Sequence, residues 1–157
     1  MKIEVSNLLN KKKYIVTTTT NHPTLSMHKF ARQDDWTLIV VGDKNTPHYD
    51  YEHLDCVYLH PDEQDKKYPE LSKSIGWNCP QRKNIGLVEA YNLGADIIAL
   101  VSDNMNPYDG WGENVIVGES VEIDFYNSDL GVCDPLSVTE HGDKLWSRGY
   151  PIDMVPY

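Results

Sequence analysis

The sequence predicts an α/β domain with a mostly parallel sheet flanked by helices. Apolar, β-branched runs alternate with stretches of helical spacing, the order of βαβ units joined by right-handed crossovers. One run, Trp36-Thr37-Leu38-Ile39-Val40-Val41, is almost continuously apolar, as a parallel strand covered on both faces requires. The segment from Gln81 to Trp111 reads as a basic cluster opening a helix, a glycine stop, a buried strand, then a carboxylate-and-amide cluster at the strand's end. Open α/β sheets bind ligands beyond the carboxyl ends of their strands, so this order already suggests where a site would lie.

Element by element, Tyr14 to Thr18 is the first expected strand, β-branched and aromatic. Thr19 to Pro23 follows as a loop, with Pro23 near the first turn of a helix over 24–33 whose apolar side is Leu25, Met27, His28 and Phe30. The second strand, 36–41, stops at Gly42-Asp43, and residues 44–55 are polar and turn-rich. Cys56 to Leu59 is a short third strand ending at His60-Pro61, and the charged stretch from Asp62 to Lys73 reads as a surface loop with some helix. Arg82 to Leu93 is a helix with Ile85, Leu87, Val88 and Tyr91 toward the core and Gly94 as its stop. Asp96 to Val101 is the fourth and most hydrophobic strand. Val115 to Val117 and Val121 to Phe125 suggest later, shorter strands.

At 157 residues the chain is expected to form a single domain, with 40% hydrophobic and 24% charged residues as in ordinary soluble proteins. No apolar run approaches the roughly 20 residues of a membrane span, and the start lacks the pattern of a signal peptide, so a cytoplasmic protein without a membrane partner is expected. A formal net charge of −10 repels polyanions, which argues against nucleic acid as a polymeric partner. A small anion remains compatible, because a local basic pocket with a divalent cation overrides the global field. Cys56, Cys79 and Cys133 fit neither a disulfide framework nor a zinc motif and read as reduced thiols.

Chemistry is expected at the strand ends. Ser102-Asp103-Asn104-Met105-Asn106 follows the fourth strand directly. A carboxylate beside amide oxygens suits Mg²⁺ or Mn²⁺, which favour oxygen ligands and keep waters and phosphate oxygens; the same residues also make an ordinary turn. Arg82-Lys83-Asn84 opens a helix, where free N–H groups and side chains face an anion. Basic residues there oppose the helix dipole, a local conflict that an anionic ligand would resolve. Asp43, after the second strand, is placed to accept from a nucleobase N–H or a ribose hydroxyl, or simply to make a Gly-Asp turn. Thr18–Asn21, Asp43, His60 and Asp103 thus converge on one rim. His141, in a polar loop, is a further candidate metal or substrate contact. No GxSxG, Walker A, GxGxxG or HExxH pattern occurs.

The stretches YIVTTTTNHPT, WTLIVVGDKNTP, CPQRKNIGLVEAYNLGADIIALVSDNMNPYDGW and CDPLSVTEHGDKLWSRGYP follow one another in a familiar order. Over Tyr14 to Pro151 the chain resembles the glycosyltransferase-like family of the STELLO proteins and the plant reversibly glycosylated polypeptides, the UDP-arabinopyranose mutases. The resemblance implies a GT-A nucleotide-diphospho-sugar transferase fold, a Rossmann-like architecture. It also implies a nucleotide-diphosphate sugar (a UDP-sugar above all) as donor, an acceptor of unspecified identity, and Mn²⁺ or Mg²⁺ held by an acidic motif. That motif typically reads DDDN; here Asp103 takes the middle place, and Ser102 and Asn104 replace its neighbours. Fewer carboxylates imply weaker divalent binding, with Asp103 and Asn104 as the metal positions. The arginine that mutases glycosylate in DPYR corresponds to Ser137, which disfavours mutase activity, whereas Arg148 of the late RGYP is retained. By this carry-over Thr18, Asn21, Asp43, Arg82, Lys83, Asn84 and Arg148 hold the nucleotide sugar. Asp103, Asp109 and Asp134 are the catalytic candidates, with Glu140 as a further acid. A domain that binds the sugar nucleotide without turnover is the alternative.

Overall fold

The computed structural model describes residues 11–113, 115–118, 120–125, 127, 129, 131–140 and 145–155. The protein is α/β, with a four-stranded, all-parallel sheet flanked by helices. The strands are β1 (Lys13–Thr19), β2 (Trp36–Gly42), β3 (Val57–Leu59) and β4 (Ile97–Leu100), in the order β3-β2-β1-β4. β1 pairs along its whole length with β2, from Lys13 opposite Trp36 to Thr19 opposite Gly42. Four helices connect them: α1 (Leu25–Phe30), α2 (Pro61–Lys67), α3 (Pro69–Ile75) and α4 (Lys83–Asn92).

The central strands are apolar on both sides because each side has its own core. Ile15, Leu38 and Val40 point to a cluster with Met27 and Phe30 of α1, Tyr51 and Val101, against which Trp36 and Trp111 pack. The alternate residues Val16, Ile39 and Val41 meet Ile85 and Ala90 of α4 on the opposite face, as the period of two along a strand dictates. The continuous apolarity of β2 is therefore explained.

Several local expectations change. α1 is shorter than 24–33: Thr24 caps it by accepting from the Met27 N–H at 3.2 Å, and only Met27 and Phe30 are buried, leaving Leu25 and His28 outside. The stretch from Asp62 to Lys73 is largely helical. Pro61 and Pro69 occupy first-turn positions, His60 accepts from the Asp62 N–H, and Asp62 and Glu63 followed by Lys66 and Lys67 match the helix dipole. α4 buries Ile85, Gly86, Glu89 and Ala90 rather than Tyr91, which is 77% exposed. The helix lies so close to the sheet that a Cβ on Gly86 would sit 2.5 Å from Val16 Cγ1 and 2.8 Å from Val41 Cγ2, so small residues face inward. Glu89 is held there by Lys67 Nζ at 2.7 Å and by the Tyr68 hydroxyl at 2.5 Å. Residues 115–117 and 121–125 are not strands; Ile123 and Phe125 stand exposed, without the half-buried pleated surface that β-propensity reflects.

By internal contacts the chain divides into two compact units, Met1–Val117 and Gly118–Tyr157, where the sequence suggested one domain. The sheet and its helices belong to the first. In the second, Asp134 caps a 3₁₀ turn over Pro135–Val138, accepting from the N–H groups of Leu136 and Ser147 at 3.1 Å each. Among the described residues no helix is long and apolar enough to cross a membrane.

Candidate functional site

The chain steps from β1 to β2 to β3 along one direction of the sheet, then returns past α2, α3 and α4 to place β4 on the other side of β1. That reversal opens a crevice at the carboxyl ends of β1 and β4, where ligands of open α/β sheets bind. A cavity of about 340 Å³ lies there. Its walls are Thr18 to Asn21 after β1, Asp43 after β2, Ser102 and Asp103 after β4, the Asn78-Cys79-Pro80 loop, and Lys83 at the start of α4.

On the β4 side the loop after β1 wraps Asp103. Thr19 Oγ1 and Asn21 Nδ2 donate to Asp103 Oδ2 at 2.7 and 2.9 Å, and Thr24 Oγ1 donates to its carbonyl at 2.6 Å. The other carboxylate oxygen, Oδ1, accepts no hydrogen bond from the described residues, so Asp103 is oriented by one oxygen and presents the other. The Tyr51 hydroxyl fixes the same loop by donating to the Asn21 carbonyl at 2.7 Å, and burial pushes this phenol up to about 12. Lys83 Nζ donates to the Val101 carbonyl at 3.2 Å, which holds a cation beside the end of β4.

On the β2 side the two expected ligand contacts turn inward. Asp43 lines the cavity but is only 2% exposed, and its oxygens accept from the backbone N–H of Lys44 at 2.7 Å and of Asn78 at 2.8 Å. Arg82 does not line the cavity. It is wholly buried, with Nη1 donating to the Ser72 carbonyl (3.2 Å), Ser72 Oγ (3.0 Å) and the Gly76 carbonyl (3.1 Å), and Nη2 donating to Gln64 Oε1. Its guanidinium lies 3.6 Å from the ring centre of Trp77. Burial lowers its pKa, and Asp43 and Asp65 oppose that by favouring the charge. The conflict between a basic residue and the helix start is therefore resolved at Arg82 by carbonyl acceptors and at Lys83 by a strand-end carbonyl. Thr46 Oγ1 bridges the two strand ends, donating to the Thr19 carbonyl and accepting from the Asp43 N–H, each at 2.7 Å.

Of the remaining candidates, Thr18, Asn21, Asp43, Lys83 and Asp103 come together, whereas Asn84, Asn104 and Asp109 are exposed and outside the cavity lining. His60 caps α2 and packs against His48, with ring centres 4.2 Å apart, also outside it. Trp111 packs on Phe30 and Trp36 rather than on a ligand surface. Asp134, Glu140 and Arg148 belong to the second unit, and His141 lies outside the described residues. The loop residues Asn78, Cys79 and Pro80 were missed. Their signal was Gly-Trp-Asn-Cys-Pro before the basic cluster: Gly76 (φ +74°) and Asn78 (φ +58°) both have positive φ, which Asn tolerates best among non-glycine residues.

Among the described residues no three His, Cys, Asp or Glu side chains are grouped to hold a metal ion. The donors present suit a different arrangement. Asp103 Oδ1 offers a single negative oxygen, and a Mg²⁺-like cation is commonly held by one or two carboxylates plus waters and phosphate oxygens. One such oxygen supplies only part of the oxygen shell of a cation of that kind. No protein-family model matches the sequence, and no curated protein matches it either.

Proposed function

We propose that the protein is a GT-A-type glycosyltransferase domain that binds a nucleotide-diphosphate sugar, a UDP-sugar for preference, in the crevice beyond β1, β2 and β4. In this reading it works in the cytoplasm and transfers the sugar to an acceptor of unspecified identity. The observation that carries it is the convergence of Thr18–Asn21, Asp43, Lys83 and Asp103 on one cavity at the reversal of strand order. Lys83 faces the diphosphate and stabilises the charge that develops on it as the sugar leaves. Asp103 receives the Mn²⁺ or Mg²⁺ that accompanies that diphosphate, and the threonine hydroxyls with Asn21 serve phosphate and ribose oxygens. The family resemblance supplies the donor class.

A second reading, binding without turnover, is favoured by a specific observation. Asp103 is the sole acid of its motif, and one of its oxygens is already spent on Thr19 and Asn21. Calorimetric titration with UDP, GDP and their sugars, with and without Mn²⁺, separates the two. Metal-dependent binding that disappears in Asp103→Ala, together with release of UDP in the presence of acceptor, supports transfer. Metal-independent binding without hydrolysis or transfer supports the second reading. Absence of binding by every nucleotide rejects both.

A further inference from the structure

The two charged residues expected at the ligand instead build a frame around three consecutive loop residues. Arg82 Nη1 holds the carbonyl of Gly76 at 3.1 Å, its guanidinium stacks on Trp77, and Asp43 Oδ2 holds the N–H of Asn78 at 2.8 Å. Lys44 Nζ also sits 4.9 Å from the Trp77 ring centre. Buried charges are costly, and here two are committed to fixing one short segment. The segment delivers Asn78 to the cavity wall in a left-handed conformation, exposed, with its carboxamide bonded to none of the described residues.

The cavity has two unlike ends. β2 and β4 flank β1, so at a strand spacing of about 4.8 Å their ends are about 10 Å apart. The β4 end carries Lys83 and the open oxygen of Asp103, a charged pole suited to phosphates and their cation. At the β2 end both Asp43 oxygens are taken by backbone N–H groups, so the group presented there is a neutral carboxamide with one acceptor and one donor side by side.

We propose that Asn78 is the residue that reads the nucleobase, accepting from a ring N–H and donating to the adjacent ring carbonyl of a base such as uracil. This rests on the nucleotide-sugar reading above and transfers to Asn78 the base contact expected of Asp43. Asp43 and Arg82 are positioning residues for it. The pairing is selective because a base lacking the matching donor leaves a polar group of the site unpaired.

Asn78→Gly is the informative variant, since glycine adopts a positive φ without strain and removes only the carboxamide. The wild type and Asn78→Gly are titrated with UDP, GDP and inorganic pyrophosphate, and a thermal midpoint close to wild type confirms that the loop still folds. UDP affinity is expected to fall about tenfold with pyrophosphate affinity unchanged. Asn78→Asp, which can only accept, is expected to shift preference from UDP toward GDP, whose base offers two adjacent N–H donors. Unchanged UDP affinity in Asn78→Gly, or an unchanged UDP-to-GDP ratio in Asn78→Asp, overturns the assignment while the nucleotide reading stands. A wild type that binds none of the nucleotides removes both.

Discussion

Replacing Arg82 by methionine separates a structural from a ligand-binding guanidinium. Methionine keeps an unbranched stem of similar volume, so the cavity cost is small and the loss is polar. The change leaves Gln64 Oε1 and Ser72 Oγ without a buried donor, each costing about 1–3 kcal/mol, and removes the part-buried bond to the Gly76 carbonyl, while the Ser72 carbonyl keeps the Gly76 N–H. It also deletes the cation–π contact with Trp77, worth about 0.5–2 kcal/mol. Relief from burying the charge offsets part of this, which leaves a net loss of about 3 kcal/mol. Urea unfolding followed by tryptophan fluorescence is the assay: the midpoint should fall with the slope unchanged, and the thermal midpoint should drop by roughly 10 °C. Lys83→Met is the control. It gives up a single 3.2 Å bond to a carbonyl, so its midpoint should stay within about 1 kcal/mol of wild type while nucleotide affinity collapses. An Arg82→Met protein as stable as the wild type would refute the buried frame and return Arg82 to the diphosphate.

Other outcomes follow from the same packing. Gly86→Ala should destabilise by about 1–3 kcal/mol in chemical denaturation, because the new methyl meets Val16 and Val41 well inside contact distance. Thr17→Val should be neutral or stabilise by up to about 1 kcal/mol, since Thr17 is 1% exposed and its hydroxyl has no hydrogen-bond partner among the described residues. Burial, with Asp55 beside it, pushes the Cys56 thiol from 9.0 up to about 11. A raised value means that the folded state holds the proton more tightly, so this contribution is complete below pH 9 and is lost as pH rises toward 11. Lys67, raised mainly by its hydrogen bond to Glu89, and Tyr68, raised by burial and then by Glu89, act in the same alkaline direction. Urea midpoints should therefore decline above pH 9, with a shallower decline in Cys56→Ala.

The four strands and the rim were legible because both follow from order along the chain. An apolar run closed by polar residues places those residues at a strand's end, and parallel strands put all such ends on one edge. That is why Thr18–Asn21, Asp43 and Asp103 could be grouped without coordinates. The fates of Arg82 and Lys83 were not legible, because adjacent residues at a helix start differ by about 100° in direction. A 3₁₀ turn over Pro80–Arg82 precedes α4 and sends one guanidinium inward and the next ammonium toward the cavity. The inner face of α4 was misread for a related reason: Gly86 and Ala90 face the sheet because of a close approach that hydrophobicity alone does not report. Asn78 carried its signal in backbone conformation rather than in charge.

Gln64 of α2 donates to the Gly42 and Leu59 carbonyls at 2.7 and 2.6 Å and accepts from Arg82, so one amide joins the ends of β2 and β3 to the guanidinium that holds the 76–78 loop. The β2-side wall of the cavity is thereby geared to a surface helix pair. If the nucleotide reading holds, a ligand seated on Asn78 meets a loop that this amide ties to α2 and α3. The expected consequence is that nucleotide addition raises hydrogen-exchange protection of the α2 and α3 amides; unchanged protection would show that the amide transmits nothing.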